Sequence, residues 1–217
     1  CSAAAFKSLI LAFGFPYKMF SSIVPPNKNT SWGTIPIVFL KAFKSKILIV
    51  VLACSFNASS AMAKEPSELN DLEIAHVAYT ADLIDIKYAH LALAISNNQE
   101  IHNFARTMIR DHEAVNEQAL ALLKKLGAQA QNNKLSQTLN EGATVKIDEL
   151  SKLRGAEFDM AYASNELGYH KAVNDLVENA FIPKIENAEV KTLFQAGLKI
   201  FKAHQVHAEM MVKKLKG

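Results

Sequence analysis

From residue 67 to the end of the chain, apolar residues recur at steps of three and four, and no period-two alternation appears. That pattern predicts helices and no strands. Helix breakers are few: Pro183 is the only proline there, and glycines stand only at 127, 142, 155, 168, 197 and 217. The spacing predicts a first helix over 68–96, ending at the Asn97-Asn98 turn, and a second over 99–126 with Gly127 as its stop. A polar stretch, 129–133, leads to a shorter third helix within 135–154, closed by Gly155. The fourth is predicted over 156–180, and Pro183 separates it from the fifth, over 187–214. Four long helices with one short helix inside a long connection predict an all-α, ferritin-like four-helix bundle. Its two antiparallel hairpins would be joined by a single crossover.

Placing each helix on a wheel at about 100° per residue shows where polar groups interrupt the apolar faces. In the second helix the stripe Ile101, Ala105, Met108, Val115, Ala119, Leu122 and Leu126 skips one position, and His112 occupies it. His170 lines up with Ala163, Val173, Val177 and Phe181, with Glu166 one turn before it and Asp159 further back. His204 shares a face with Leu193, Ile200, Ala208, Met211 and Leu215, and His207 follows one turn on, nearer the edge. The first helix is apolar almost all round, apart from a narrow strip of Glu73, His76, Thr80 and Lys87 that is expected to be wet. Opposite that strip Asp85 stands among Ile74, Ala78, Ala89 and Ala92, a costly place for an unpaired carboxylate. Asp85, His112, His170 and His204 each lie near the middle of a long helix. In an antiparallel bundle mid-helix positions share a level, so the four are expected to converge.

Charge and cysteine placement narrow the class. The formal net charge of +3 suggests a basic protein, yet residues 1–63 hold six lysines and no acid. From Lys64 onward 18 basic residues face 21 acidic ones, a balance of −3, so no nucleic-acid partner is expected. Both cysteines, Cys1 and Cys54, precede Lys64, so the bundle must rest on its apolar core and not on a disulfide.

The N-terminal third reads as an address. Lys41, Lys44 and Lys46 precede the apolar run 47–53, and Ala61-Met62-Ala63 follows, the order of a secretory signal peptide with an A-x-A cleavage site. The run is too short for a spanning helix, which needs roughly 20 residues. Three segments are therefore expected: an over-extended N-terminal stretch 1–39, a signal peptide 40–63, and a bundle domain 64–217 without a transmembrane helix. The expected location is the periplasm or cell envelope. Val51-Leu-Ala-Cys54 offers a loose lipobox, with lipidation of Cys54 as the alternative to cleavage after Ala63.

Neutral imidazole and carboxylate are ordinary ligands for iron, copper and zinc. Asp85, His112, Glu166, His170 and His204 are thus the candidate ligands of one ion or a close pair, with Asp111, Asp159 and His207 as outer partners. Three functions fit: an envelope metal-binding module, an oxidoreductase acting on peroxide, oxygen or the metal, and a structural or stress-related protein whose metal-free polar network fixes helix register.

The stretches FARTMIRDHEAVNEQALALLKKLG (104–127) and GAEFDMAYASNELGYHKAV (155–173), with a final helix bearing His204, resemble one exported bacterial family. It is the ferritin-like domain-of-unknown-function family 4142, often labelled a predicted outer membrane protein. The resemblance covers about residues 70–215 and implies a ferritin-like bundle in the envelope without an established activity. Asp85 departs from the glutamate usual at its position. The paired Glu-x-x-His motifs of di-iron bundles are also missing, since Glu166 lies four residues before His170.

Overall fold

The computed structural model describes residues 64–217. The expected signal peptide 40–63, the stretch 1–39 and the lipobox cysteine Cys54 lie outside them. Five α-helices make up the domain, and no strand occurs among the described residues. They are α1 (Asp71–Ile95), α2 (Gln99–Lys125), α3 (Lys134–Ser151), α4 (Gly155–Leu176) and α5 (Ala188–Leu215), preceded by a single 3₁₀ turn at Pro66–Glu68. None of these helices is long and apolar enough to cross a membrane.

Local chemistry sets most of the ends. The Asn70 side chain accepts hydrogen bonds from the backbone N–H groups of Leu72 and Glu73, and the Glu73 carboxylate accepts from the Asn70 N–H, closing a capping box. The Asn98, Asn133 and Asn187 side chains likewise accept from backbone N–H groups in the first turns of α2, α3 and α5, and Ser136 completes a capping box at Asn133. Gly127 (φ 62°) and Gly155 (φ 57°) take left-handed conformations on either side of the α3 connection, where a side chain would be strained.

The fourth helix ends differently from the expectation. Its α-helical part stops at Leu176 and continues as a π turn, Val177–Phe181, in which the Ile182 N–H donates to the Val177 carbonyl at 2.9 Å. Pro183 has no N–H to offer and its ring needs room near the preceding turn, and the wider turn supplies that room.

α1 and α2 form one hairpin and α4 and α5 the other, and α2 also packs along α5. The ends are tied. At one end the Ser96 hydroxyl donates to Asp159 at 2.5 Å, and Lys214 pairs with Glu100. At the other, Asp71 accepts from the N–H groups of Glu186 and Asn187, and Lys125 pairs with Glu189. The short helix α3 lies on α1. It covers part of the strip expected to be wet: Glu73 and Thr80 are buried, and the Asn133 amide donates to the Glu73 carbonyl at 3.0 Å. A helix apolar almost all round is thus packed on more than one side.

Between the Ser96 end and the middle, the core is aromatic. Phe104, Phe158 and Tyr162 are fully buried, with Phe158 stacked on Tyr162 (6.1 Å between centroids) and Phe104 edge-on to it (6.2 Å). Phe104→Ala should therefore lower the unfolding free energy by about 3–5 kcal/mol. Denaturant unfolding with an unchanged m-value checks this, and a loss below about 1 kcal/mol would mean that the aromatic layer is not tightly packed.

Candidate metal centre

Four helices bring their ionisable groups to one level midway along the bundle. α1 contributes Asp82 and Asp85, α2 Asp111 and His112, α4 Glu166 and His170, and α5 His204. Asp85 and Glu166 are fully buried, and His112, His170 and His204 nearly so. The three imidazole centroids form a near-equilateral triangle, with separations of 5.8 Å (112–170), 5.4 Å (112–204) and 5.5 Å (170–204). One nitrogen from each ring lies within 4.8 Å of one nitrogen on each of the others, and donor atoms of Asp85, Glu166 and His170 meet the same limit.

Each ring is anchored from outside. His112 Nδ1 lies 2.7 Å from Asp82 Oδ1, His170 Nδ1 lies 3.0 Å from the Glu166 carbonyl, and His204 Nε2 lies 2.9 Å from Asp111 Oδ2. A carbonyl or carboxylate oxygen can only accept, so in each contact the ring nitrogen carries the proton and donates. The second nitrogen of each ring then holds a free lone pair whenever that ring is neutral. Those atoms, His112 Nε2, His170 Nε2 and His204 Nδ1, are buried without a hydrogen-bond partner. So are both carboxylate oxygens of Asp85 and both of Glu166. Asp85 Oδ2 sits 3.3 Å from His112 Nε2 and 3.3 Å from His170 Nε2, close to both and hydrogen-bonded to neither.

Phe201 completes one wall by stacking on His112 at 4.5 Å with the rings nearly parallel. Tyr162, one turn before Glu166 on α4, buries a hydroxyl that also has no partner.

The electrostatics follow from burial and crowding. Burial pushes the Glu166 carboxyl well above the usual carboxylate range, and the nearby Asp85 adds to that push. Burial also raises Asp85, to about 6, against the pull of His112. His170 is held well below the ordinary imidazole value by burial and by the other two rings. Burial brings His204 down to about 4 although Asp111 opposes it. Burial acts downward on His112 as well, but Asp85, Asp82 and Asp111 together outweigh it and carry the ring up to about 9. The Arg110 guanidinium, bonded to Asp111, holds that carboxyl below its usual range, so Asp111 stays an acceptor for His204.

The five residues expected as ligands are thus brought together, and Asp111 stands behind His204. Asp159 goes elsewhere: its carboxylate accepts from Ser96 at the α1–α2 turn and touches none of the three rings. His207 is turned toward Phe104, its ring edge-on at 5.0 Å, outside the cluster. Asp82 is the residue that sequence reasoning passed over. It lies three positions before Asp85, on the same face of α1, and that spacing was the available signal.

With the site free of metal, His112 makes the fold pH-sensitive above neutrality. Its ring holds a proton more tightly when folded (about 9) than when unfolded (6.5), so its stabilisation is complete below pH 6.5 and is lost as pH rises through 9. Glu166, also raised, acts in the same direction, whereas His170 and His204, both lowered, act in the opposite direction, an effect that fades as the pH rises past 6.5. Chelator-treated protein should therefore melt at a lower temperature at pH 9 than at pH 6.5, and His112→Gln should flatten the slope. Melting curves with an identical slope in that variant would remove His112 as the cause.

No curated protein and no solved structure matches the chain. A family model does, over residues 56–211, and its description is a domain of unknown function, DUF4142. That span takes in every helix of the bundle except the last residues of α5 and all seven side chains of the cluster, so the chain belongs to the DUF4142 family.

Proposed function

We propose that the chain is an exported envelope protein whose helical bundle, ferritin-like in connectivity, holds a transition-metal ion between Asp85, His112, Glu166, His170 and His204. One observation carries this reading. Three inward ring nitrogens and four carboxylate oxygens converge without a single hydrogen-bond partner, while the outer nitrogen of every ring is anchored. Buried polar atoms left unpaired cost roughly 1–3 kcal/mol each, and a cation at either of the two donor triads, His112–His170–His204 or Asp85–Glu166–His170, would compensate those it binds. A metal-free network serving only to fix helix register would be expected to pair its inward atoms as well as its outer ones, and here only the outer ones are paired.

The donor set narrows the ion. Imidazole with carboxylate suits iron, copper or zinc in their divalent or higher states. Magnesium and calcium prefer all-oxygen sites, and soft cuprous copper prefers the thiolate that residues from Lys64 onward lack. Bound there, such an ion supplies Lewis acidity or, if it is iron or copper, one-electron chemistry. The chain's own part is to present neutral, correctly oriented rings. Asp82, the Glu166 carbonyl and Asp111 do this by fixing the tautomers, and Phe201 and Tyr162 screen the centre from water. Export rests on the Lys41–Lys46 cluster, the apolar run and the Ala61-Met62-Ala63 site.

Protein purified without chelator or affinity tag should contain close to one transition-metal ion per chain. His170→Ala should lose that ion while keeping its helical circular dichroism. Asp82→Asn should retain the site with an affinity about 10–100-fold lower. A clean zero by elemental analysis, persisting after reconstitution with iron, copper and zinc, would end the metal reading. For export, the mature protein from its native envelope should begin at Lys64, and a chain still carrying Cys54 would overturn cleavage after Ala63.

A further inference from the structure

On the side of the centre away from the aromatic layer, the bundle core is not filled. A cavity of about 70 Å³ runs among α1, α2, α4 and α5. Small residues make the space: Ala75 and Ala78 on α1, Ala119 on α2 and Gly197 on α5 all line it. A Cβ at Gly197 would meet the Phe201 ring at 3.6 Å and Val115 at 3.9 Å, ordinary contacts, so backbone crowding does not demand glycine there. The remaining wall is mostly aliphatic and aromatic, including Val115, Val173 and Phe201. The cavity reaches the candidate metal centre, because Asp82 and Phe201 both line it and both touch His112, one through the 2.7 Å hydrogen bond and the other by ring stacking.

A close-packed interior normally excludes such voids, and a partly open space walled almost wholly by hydrocarbon favours apolar atoms or small molecules over water. Its volume admits only a few heavy atoms, and its walls offer no countercharge to an anion. Asp82 already has the His112 ring as its partner. The occupant that matches these walls is a small uncharged apolar molecule of the size of a diatomic gas. We propose that this cavity admits such a molecule and delivers it to the His112 side of the centre. Occupancy of the cavity is independent of the metal, and delivery rests on the metal-binding reading above.

Xenon and nitric oxide are suitable probes of the full chain. Xenon pressure on chelator-treated protein should shift the methyl resonances of Val115, Val173 and Leu193 in a saturable way and leave those of Val145 and Val206, on the surface, unmoved. Ala119→Phe should abolish the shift, and Ala78→Leu, filling the space from the opposite wall, serves if the first variant fails to fold. Protein loaded anaerobically with ferrous iron should then bind nitric oxide several-fold more slowly in the filled variant, with unchanged iron content. Absent xenon shifts, or shifts that survive both filling substitutions, would overturn the cavity as a binding site and leave the metal reading standing. Equal nitric oxide rates in filled and unfilled protein would overturn delivery. Failure to take up iron, copper and zinc alike would end the metal reading and delivery with it, while the xenon result still decides occupancy.

Discussion

The constraint on which this fold depends is the dryness of its middle. Two carboxylates and three imidazoles meet where no water reaches them, and their inward atoms have no partner in the protein. Such a group is tolerable only if something holds it in place and something compensates its polarity. The outer anchors supply the first. Their geometry depends in turn on register, since a slip of one helix by a single turn, about 5.4 Å, would carry a ring out of reach of its neighbours. Register is set at the bundle ends, by the Ser96–Asp159 hydrogen bond at one and by the Asp71 carboxylate receiving the start of α5 at the other. Asp159 serves the centre in that indirect sense, by pinning α4 against the α1–α2 turn.

The two halves of the bundle are packed to different ends. Phe104, Phe158 and Tyr162 close the core on one side of the cluster with rings that leave no room for solvent. On the other side alanines and a glycine face one another, and Val115, Ala119 and Leu122 are only half-buried where the hydrophobic stripe of α2 predicts full burial. The same stripe leaves Leu126 37% exposed, because the helix runs out just beyond the bundle end. A core that is solid on one side of a polar cluster and hollow on the other leaves apolar space next to that cluster on the hollow side.

Much of this was legible in the chain. Helix ends followed asparagine caps and left-handed glycines, which act within a few residues and so show in local sequence. The inward placement of Asp85, His112, His170 and His204 followed from the 3.6-residue period, because each replaces an apolar residue within a run of them. What the period could not show is which of two neighbouring acids on α1 faces an imidazole. Asp82 and Asp85 share a face, and only the position of α2 decides that the first anchors His112 and the second faces its free nitrogen. Glu73 and Thr80 misled for a related reason. They are polar because they meet capping and backbone groups, and α3, a helix the wheel of α1 cannot know about, covers them. The π turn likewise needed the geometry around Pro183.

The protonation pattern of the cluster gives the proposed reading its physical economy. Burial raises the Glu166 carboxyl well above the usual carboxylate range and three carboxylates draw His112 up to about 9, while burial holds His170 and His204 low. Coordination requires Glu166 as carboxylate and His112 as free base, so a cation bound there would displace whatever protons these two groups hold. Each proton released offsets part of the positive charge that arrives, and the low-dielectric interior gains less charge than the bare ion carries. A core built for a fixed hydrogen-bond network would be disrupted by that exchange. A core whose acids and bases are poised to trade protons for a cation needs only rigid walls, and the anchored rings, the pinned helix ends and the aromatic layer supply them.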